Sequence, residues 1–153
     1  NLDTSGFADR VQLVRAAVVD KSGTVQFQIG PSGGMGKVKG SAGRQEYSYV
    51  QTIDIQAISL DEFVYQQGNL APQIVKMDIE GGEILALPGM KQALEQARPL
   101  ILLELHGPEA AAVAWGILKT AGYRICQMRP AYPEVDSLEA LDWKAYLVVF
   151  PGA

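Results

Sequence analysis

The sequence predicts an α/β fold: a mostly parallel sheet with an antiparallel last strand and helices on both faces. Three observations predict it. The apolar run at 11–19 is nearly continuous, the pattern of a strand covered on both sides rather than wetted on one, and further strand patterns follow at 73–79 and 99–106. Helical patterns alternate with these runs, as the crossovers of a parallel sheet require. A length of 153 residues, 48% hydrophobic and 20% charged, suffices for one substantial core and argues against disorder.

Taken in order, Val11–Val19 (VQLVRAAVV) reads as the first strand, stopped at Asp20. Lys21-Ser22-Gly23-Thr24 is turn chemistry, and Val25–Ile29 alternates as a second strand. Gly30–Gly43 carries six glycines among 14 residues without apolar periodicity, so a flexible insertion is expected there. Its Gly-Met-Gly-Lys at 34–37 fails as a phosphate-binding loop, because Val38 stands where Ser or Thr is needed. A strand returns over Val50–Ile58. Ser59-Leu60-Asp61-Glu62 is a capping box that opens a short helix to Gln66, with Leu60, Phe63 and Val64 inward. Gln73–Ile79 (QIVKMDI) is a strand, Glu80–Glu83 a sharp turn, and Glu83–Gln96 a helix that Pro88 divides in two. Pro99–His106 (PLILLELH) is a further strand. Pro108–Ala121 is a helix with Val113, Ile117, Leu118 and Ala121 inward, stopped by Gly122. Tyr123–Met128 and Lys144–Phe150 are the last two strands.

The net charge of −4 provides no basic surface for nucleic acid. No apolar run reaches the roughly 18 residues of a membrane span, and Cys126, alone, forms no intrachain disulfide. A cytoplasmic protein without nucleic-acid or membrane partners is expected. The chain opens on Asn1 rather than Met, so a preceding segment is expected too.

Ionisable residues interrupt the two central apolar runs, and they do so at one end. Alternation puts Lys76, Asp78 and Glu80 on one face of their strand, and Leu100, Leu102, Glu104 and His106 on one face of the next. If these strands are parallel neighbours, Asp78, Glu80, Glu104 and His106 converge beyond their carboxyl ends, where open α/β sheets bind ligands, with Lys76 deeper. Buried charges cost several kcal/mol each unless paired. Three readings stay open. In the structural one, Lys76 neutralises Asp78 or Glu104, Glu83 complements a helix dipole and His106 caps a helix. In the catalytic one, a carboxylate or His106 serves as general base. In the third, carboxylates and His106 hold a divalent cation. The spacing matches no diagnostic ligand motif, so no residue is assigned to a metal.

Ile74–Glu83 (IVKMDIEGGE), Leu87-Pro88-Gly89, Arg98-Pro99 and Glu104-Leu105-His106 together resemble the FkbM family of S-adenosylmethionine-dependent methyltransferases. The family's hallmark is K-hydrophobe-D-hydrophobe-E-G-x-E, then L-x-G, R-P and a strand ending in E-x-H. Ala16–Gly23, Ser59-Leu60-Asp61 and Asp142-Trp143 agree with its flanking features. The resemblance implies a partial class I, Rossmann-like methyltransferase sheet of order 3-2-1-4-5-7-6, with S-adenosylmethionine as cofactor. It implies methyl transfer to a hydroxyl oxygen of a small-molecule or glycan acceptor. It places Asp78, Glu80, Glu104 and His106 at the catalytic centre, and Ala16, Ala17 and Asp78 against the cofactor. Lys76 is left a charge-balancing role.

The D-x-G-x-x-x-G strand of such enzymes and their second, acid-terminated strand are not in this sequence. Residues 1–153 therefore read as one truncated domain, the C-terminal two thirds of the fold. Strand 74–79 is then expected to present a bare apolar edge. Three outcomes are expected to relieve it: local re-pairing of Val11–Val19, homo-oligomer formation through the edge, or further strands elsewhere in the protein. The alternative reading is a non-catalytic interaction module that needs a partner or the missing strands. A metal-dependent hydrolase is a third.

Overall fold

The first half of the chain builds a sheet of its own. The computed structural model describes residues 6–31, 36–43, 48–144 and 146–152. In it β1 (Ala17–Val18), β2 (Gly23–Ile29), β3 (Gly36–Val38) and β4 (Gln51–Ile58) are ordered β1-β4-β2-β3. β2 and β4 run antiparallel along their length, with Val25 opposite Ile55 and Phe27 opposite Ile53. β1 pairs with the end of β4 in parallel, Ala17 opposite Ala57.

Two expectations fail here. Only Ala17–Val18 of the predicted Val11–Val19 strand is in a sheet, and Val11, Leu13, Val14 and Val18 are all more than 40% exposed. The run has the composition of a doubly covered strand but, among the described residues, neighbours only at its end, so the apolar side chains ahead of that end stay exposed while Val19 is buried. The glycine-rich span is also not wholly a flexible insertion. Gly36–Val38 pairs antiparallel with β2, and Ser41 and Ala42 are buried. Backbone pairing and close packing, which need no apolar period, order this stretch; Gly34 and Met35 of the rejected phosphate-loop motif lie outside the described residues.

The second sheet contains β5 (Ile74–Met77), β6 (Leu100–Leu103), β7 (Tyr123–Gln127) and β8 (Leu147–Pro151), ordered β5-β6-β8-β7. β5 and β6 are parallel, while the last strand, β8, is antiparallel to both its neighbours, as expected. Parallel pairing is confined to β1–β4 and β5–β6, so antiparallel ladders predominate among the described residues. The chain thus forms a mixed α/β fold with two sheets.

The helices follow the sequence reading closely. α1 (Glu62–Gln66) is wound as a π-helix, and the Ser59 hydroxyl accepts the Glu62 amide at 3.1 Å. α2 (Glu83–Ala86), a 3-10 turn (Leu87–Met90) carrying Pro88, and α3 (Lys91–Gln96) replace the two expected helical pieces. α4 (Pro108–Thr120) buries Ala110, Ala111, Ala114 and Leu118. Of the residues expected inward, Val113, Ile117 and Ala121 are only half-buried, because the small alanines at 110, 111 and 114 turn that face of the helix to the core. Ile101, Leu103, Ile125, Leu147 and Val149 of the second sheet share one core with Leu87, Met90, Leu94 and Leu118, and all are at most 1% exposed. Among the described residues, no helix is long and apolar enough to cross a membrane.

Candidate active site

The register of the second sheet assembles the polar row. Met77 lies opposite Leu103, and the Glu104 amide donates to the Met77 carbonyl at 3.0 Å, so the residues after each strand stay side by side. The alternation persists past the strand ends. Met77 is buried and Asp78 and Glu80 are exposed, while Leu103 and Leu105 are buried and Glu104 and His106 are half-buried. Asp78, Glu80, Glu104 and His106 therefore meet at one end of the sheet, as the period-two argument requires. His106 Nε2 is 3.8 Å from both Asp78 Oδ1 and Glu80 Oε2. Asp78, Glu104 and His106 bring one donor atom each within 4.8 Å of one another.

Lys76 is not deep. Its side chain is 59% exposed and bridges Asp78 Oδ2 at 2.7 Å, a surface pair worth about 0–1 kcal/mol.

The residue that organises the cluster is Glu83, which the sequence reading gave only a helix-dipole role. It is fully buried at the first position of α2. Its Oε1 accepts the backbone amides of Ile79 and Gly81, at 3.3 and 3.4 Å, and lies 3.0 Å from His106 Nδ1. A carboxylate oxygen receiving two amides offers the ring an acceptor, so Nδ1 donates to Glu83 and Nε2 faces the other carboxylates. His106 is thus oriented by Glu83 rather than acting as a helix cap. The sequence offers only an acid placed just after a glycine pair; that the turn folds it back under the strand is shown by the fold.

That turn leaves no spare volume. Glu80 and Gly81 both adopt positive φ, +52° and +92°. A Cβ on Gly81 would lie 2.1 Å from the Ala42 carbonyl oxygen, and the Ala42 amide donates to the Gly81 carbonyl at 2.9 Å. The glycine pair therefore does more than turn strand into helix: it seats the end of the glycine-rich span directly on the site.

Beside the cluster lies a cleft of about 250 Å³. Ala16 and Ala17 line it together with Glu80, Gly82, Lys37 and Ser41. It thus joins two of the residues expected at a cofactor to one expected at the reaction centre. The buried Ser41 hydroxyl in this wall has no hydrogen-bond partner among the described residues.

This fold and cluster define an α/β protein whose candidate chemistry sits at the carboxyl ends of two parallel strands. A family profile described as the methyltransferase FkbM domain matches residues 7–125, and the chain belongs to that family. The crystal structure of methyltransferase FkbM from Methylobacillus flagellatus KT is similar in fold, with a TM-score of 0.56 at 18% sequence identity. The match covers 97% of this chain and 30% of that one. A search of curated proteins returns no significant match.

Proposed function

We propose that this chain is part of an S-adenosylmethionine-dependent methyltransferase that methylates a hydroxyl oxygen of a small molecule or glycan in the cytoplasm. The observation that carries the reading is the Glu83–His106 pair set at the meeting of Asp78, Glu80 and Glu104, in a chain of this family. The second sheet's order suits the reading, since β5-β6-β8-β7 corresponds to strands 4-5-7-6 of a Rossmann-like methyltransferase sheet. The orphaned Ser41 hydroxyl and the small walls at Ala16 and Ala17 support seating the adenine end of the cofactor in this cleft, and Asp78, one residue before the Ile79 and Glu80 that line it, would then face the cofactor's other end.

S-adenosylmethionine supplies an activated methyl group on a sulfonium. The chain's own task is to hold an acceptor hydroxyl in line with that methyl and to take its proton as the new O–C bond forms. Asp78 and Glu80 position the hydroxyl. His106 Nε2, on the ring that Glu83 orients through Nδ1, or the neighbouring Glu104, receives the proton. In the protein that contains this chain, Asp78→Asn and His106→Ala are each expected to lower methyl transfer by about 10²–10⁴-fold. Unchanged turnover in both variants would overturn the site assignment.

The bare edge of β5 favours a second reading, a non-catalytic module that pairs with a partner strand. β5 pairs only with β6 among the described residues, and Ile74 is 61% exposed. Normal cell function after loss of both Asp78 and His106, together with a retained partner, would select it.

A further inference from the structure

We propose that Asp78, Glu104 and His106 form a binding site for a divalent transition-metal cation of the Mn²⁺ or Zn²⁺ class. Two independent features point to it. The first is the donor set: one imidazole nitrogen and two carboxylate oxygens, from the ends of adjacent strands, all within 4.8 Å of one another. Cis ligands on a cation bound at about 2.1 Å are about 3.0 Å apart and trans ligands about 4.2 Å, so a small inward movement of exposed Asp78 completes three positions. The remaining positions stay open to water or substrate. An imidazole among the donors favours a transition metal over Mg²⁺ or Ca²⁺.

The second feature is Glu83. This carboxylate is fully buried, it aims Oε1 at His106 Nδ1 from 3.0 Å, and its Oε2 has no hydrogen-bond partner among the described residues. A buried carboxylate behind the far nitrogen of a histidine is the arrangement that fixes a metal-binding imidazole and raises its basicity. Nε2 has the carboxylates of both Asp78 and Glu80 at 3.8 Å, near it but beyond hydrogen-bond reach. Lys76 answers only part of this charge, through Asp78 Oδ2. A divalent cation at Nε2 would draw the neighbouring Asp78 carboxylate into ligation.

The cation site stands apart from the methyl-transfer reading; its consequence for chemistry rests on that reading. With the metal in place His106 is a ligand rather than a base. A hydroxyl bound to the cation is acidified by it, and its proton passes to Glu80, the carboxylate outside the trio.

The test is a titration of the chelator-stripped chain with Mn²⁺, read by loss of the free-ion electron paramagnetic resonance signal. One saturable site per chain is expected. Asp78→Asn and Glu104→Gln should each weaken it more than tenfold, and Glu83→Gln about 10–100-fold through the ring it holds. Glu95→Gln, at an exposed position of α3, should leave it unchanged. Because the chain has one histidine, its imidazole proton resonances give a second reading on the unaltered protein. Substoichiometric Mn²⁺ should broaden them ahead of other side chains. Absence of saturable binding below about 1 mM, the weak end of functional divalent sites, would overturn the proposal. So would sharp histidine signals at saturation. Metal binding without methyl transfer would keep the site and reject only the reading in which it acts.

Discussion

The two sheets of this molecule differ in what holds them. In the second, β6, β7 and β8 all bury side chains in the shared core, and Ile101 and Val149 are fully buried. In the first, β2 has no buried residue and β4 has only Ala57. The acidic cluster stands on the deeply packed sheet, at the ends of β5 and β6. The shallow sheet contributes the cleft wall at Ala16 and Ala17 and the backbone of Ala42 laid over Gly81. Precise geometry for chemistry comes from the rigid half, and access to it is shaped by the half with few buried contacts.

Truncating one apolar residue in each sheet tests this contrast most strongly. Leu103→Ala in β6 removes a side chain 1% exposed and is expected to cost about 2–5 kcal/mol. Ile53→Ala in β4, half-buried opposite Phe27, should cost about 1 kcal/mol. Urea denaturation of the two variants measures both, and equal losses would remove the distinction between the sheets. Next in size is the seam. Gly81→Ala combines a φ of +92° with a Cβ driven into the Ala42 carbonyl, and should cost about 2–4 kcal/mol. Gly40→Ala has a similar φ, +94°, but nothing within 4 Å of the added carbon. It should cost about 1–2 kcal/mol, the backbone term alone. Smaller again is Asp61→Ala. Asp61 accepts the amides of Gln92 and Ala93 at 2.9 and 2.8 Å, capping the first turn of α3 from across the chain. Its loss should cost about 1–2 kcal/mol, and helix content read by circular dichroism at intermediate urea should fall with it.

The deep half was legible in the sequence because its signals are local. Period-two alternation in Ile74–Glu80 and Pro99–His106 placed the four polar residues on matching faces, and parallel pairing of β5 and β6 was enough to bring them together. The shallow half was not, because what orders it is non-local. Hydrophobicity alone made Val11–Val19 a strand, although pairing depends on what lies beside it. The Ser41–Gly43 stretch, lacking any period, is ordered by an amide–carbonyl bond to a glycine some forty positions away. Glu83 was misjudged for the same reason: a charged residue at a helix start reads as a dipole partner, and only the fold shows that it is buried beneath a histidine from the next strand. The capping box was half right, since Ser59 Oγ accepts the Glu62 amide while the Glu62 carboxylate turns instead to Ser22.

That last contact gives the smallest effect and the finest probe of how the halves are joined. Asp61 and Glu62 are consecutive carboxylates that reach in different directions, the first to α3 and the second back to the turn before β2. Glu62 Oε2 accepts the Ser22 amide at 2.7 Å. Hydrogen bonds from the Ser22 side chain and then its backbone hold the Glu62 carboxyl below the usual glutamate range. A group whose pKa is lower folded than unfolded contributes stability that is full above the unfolded value and is lost as pH falls through the folded one. Protonation should therefore loosen this tie below about pH 4.5, the ordinary glutamate range. Glu62→Gln should lower the urea midpoint slightly at pH 7, and the gap from the unaltered chain should close as the pH is taken down through that range. A gap that persists unchanged in acid would show that packing, not the carboxylate charge, binds the shallow sheet to α1.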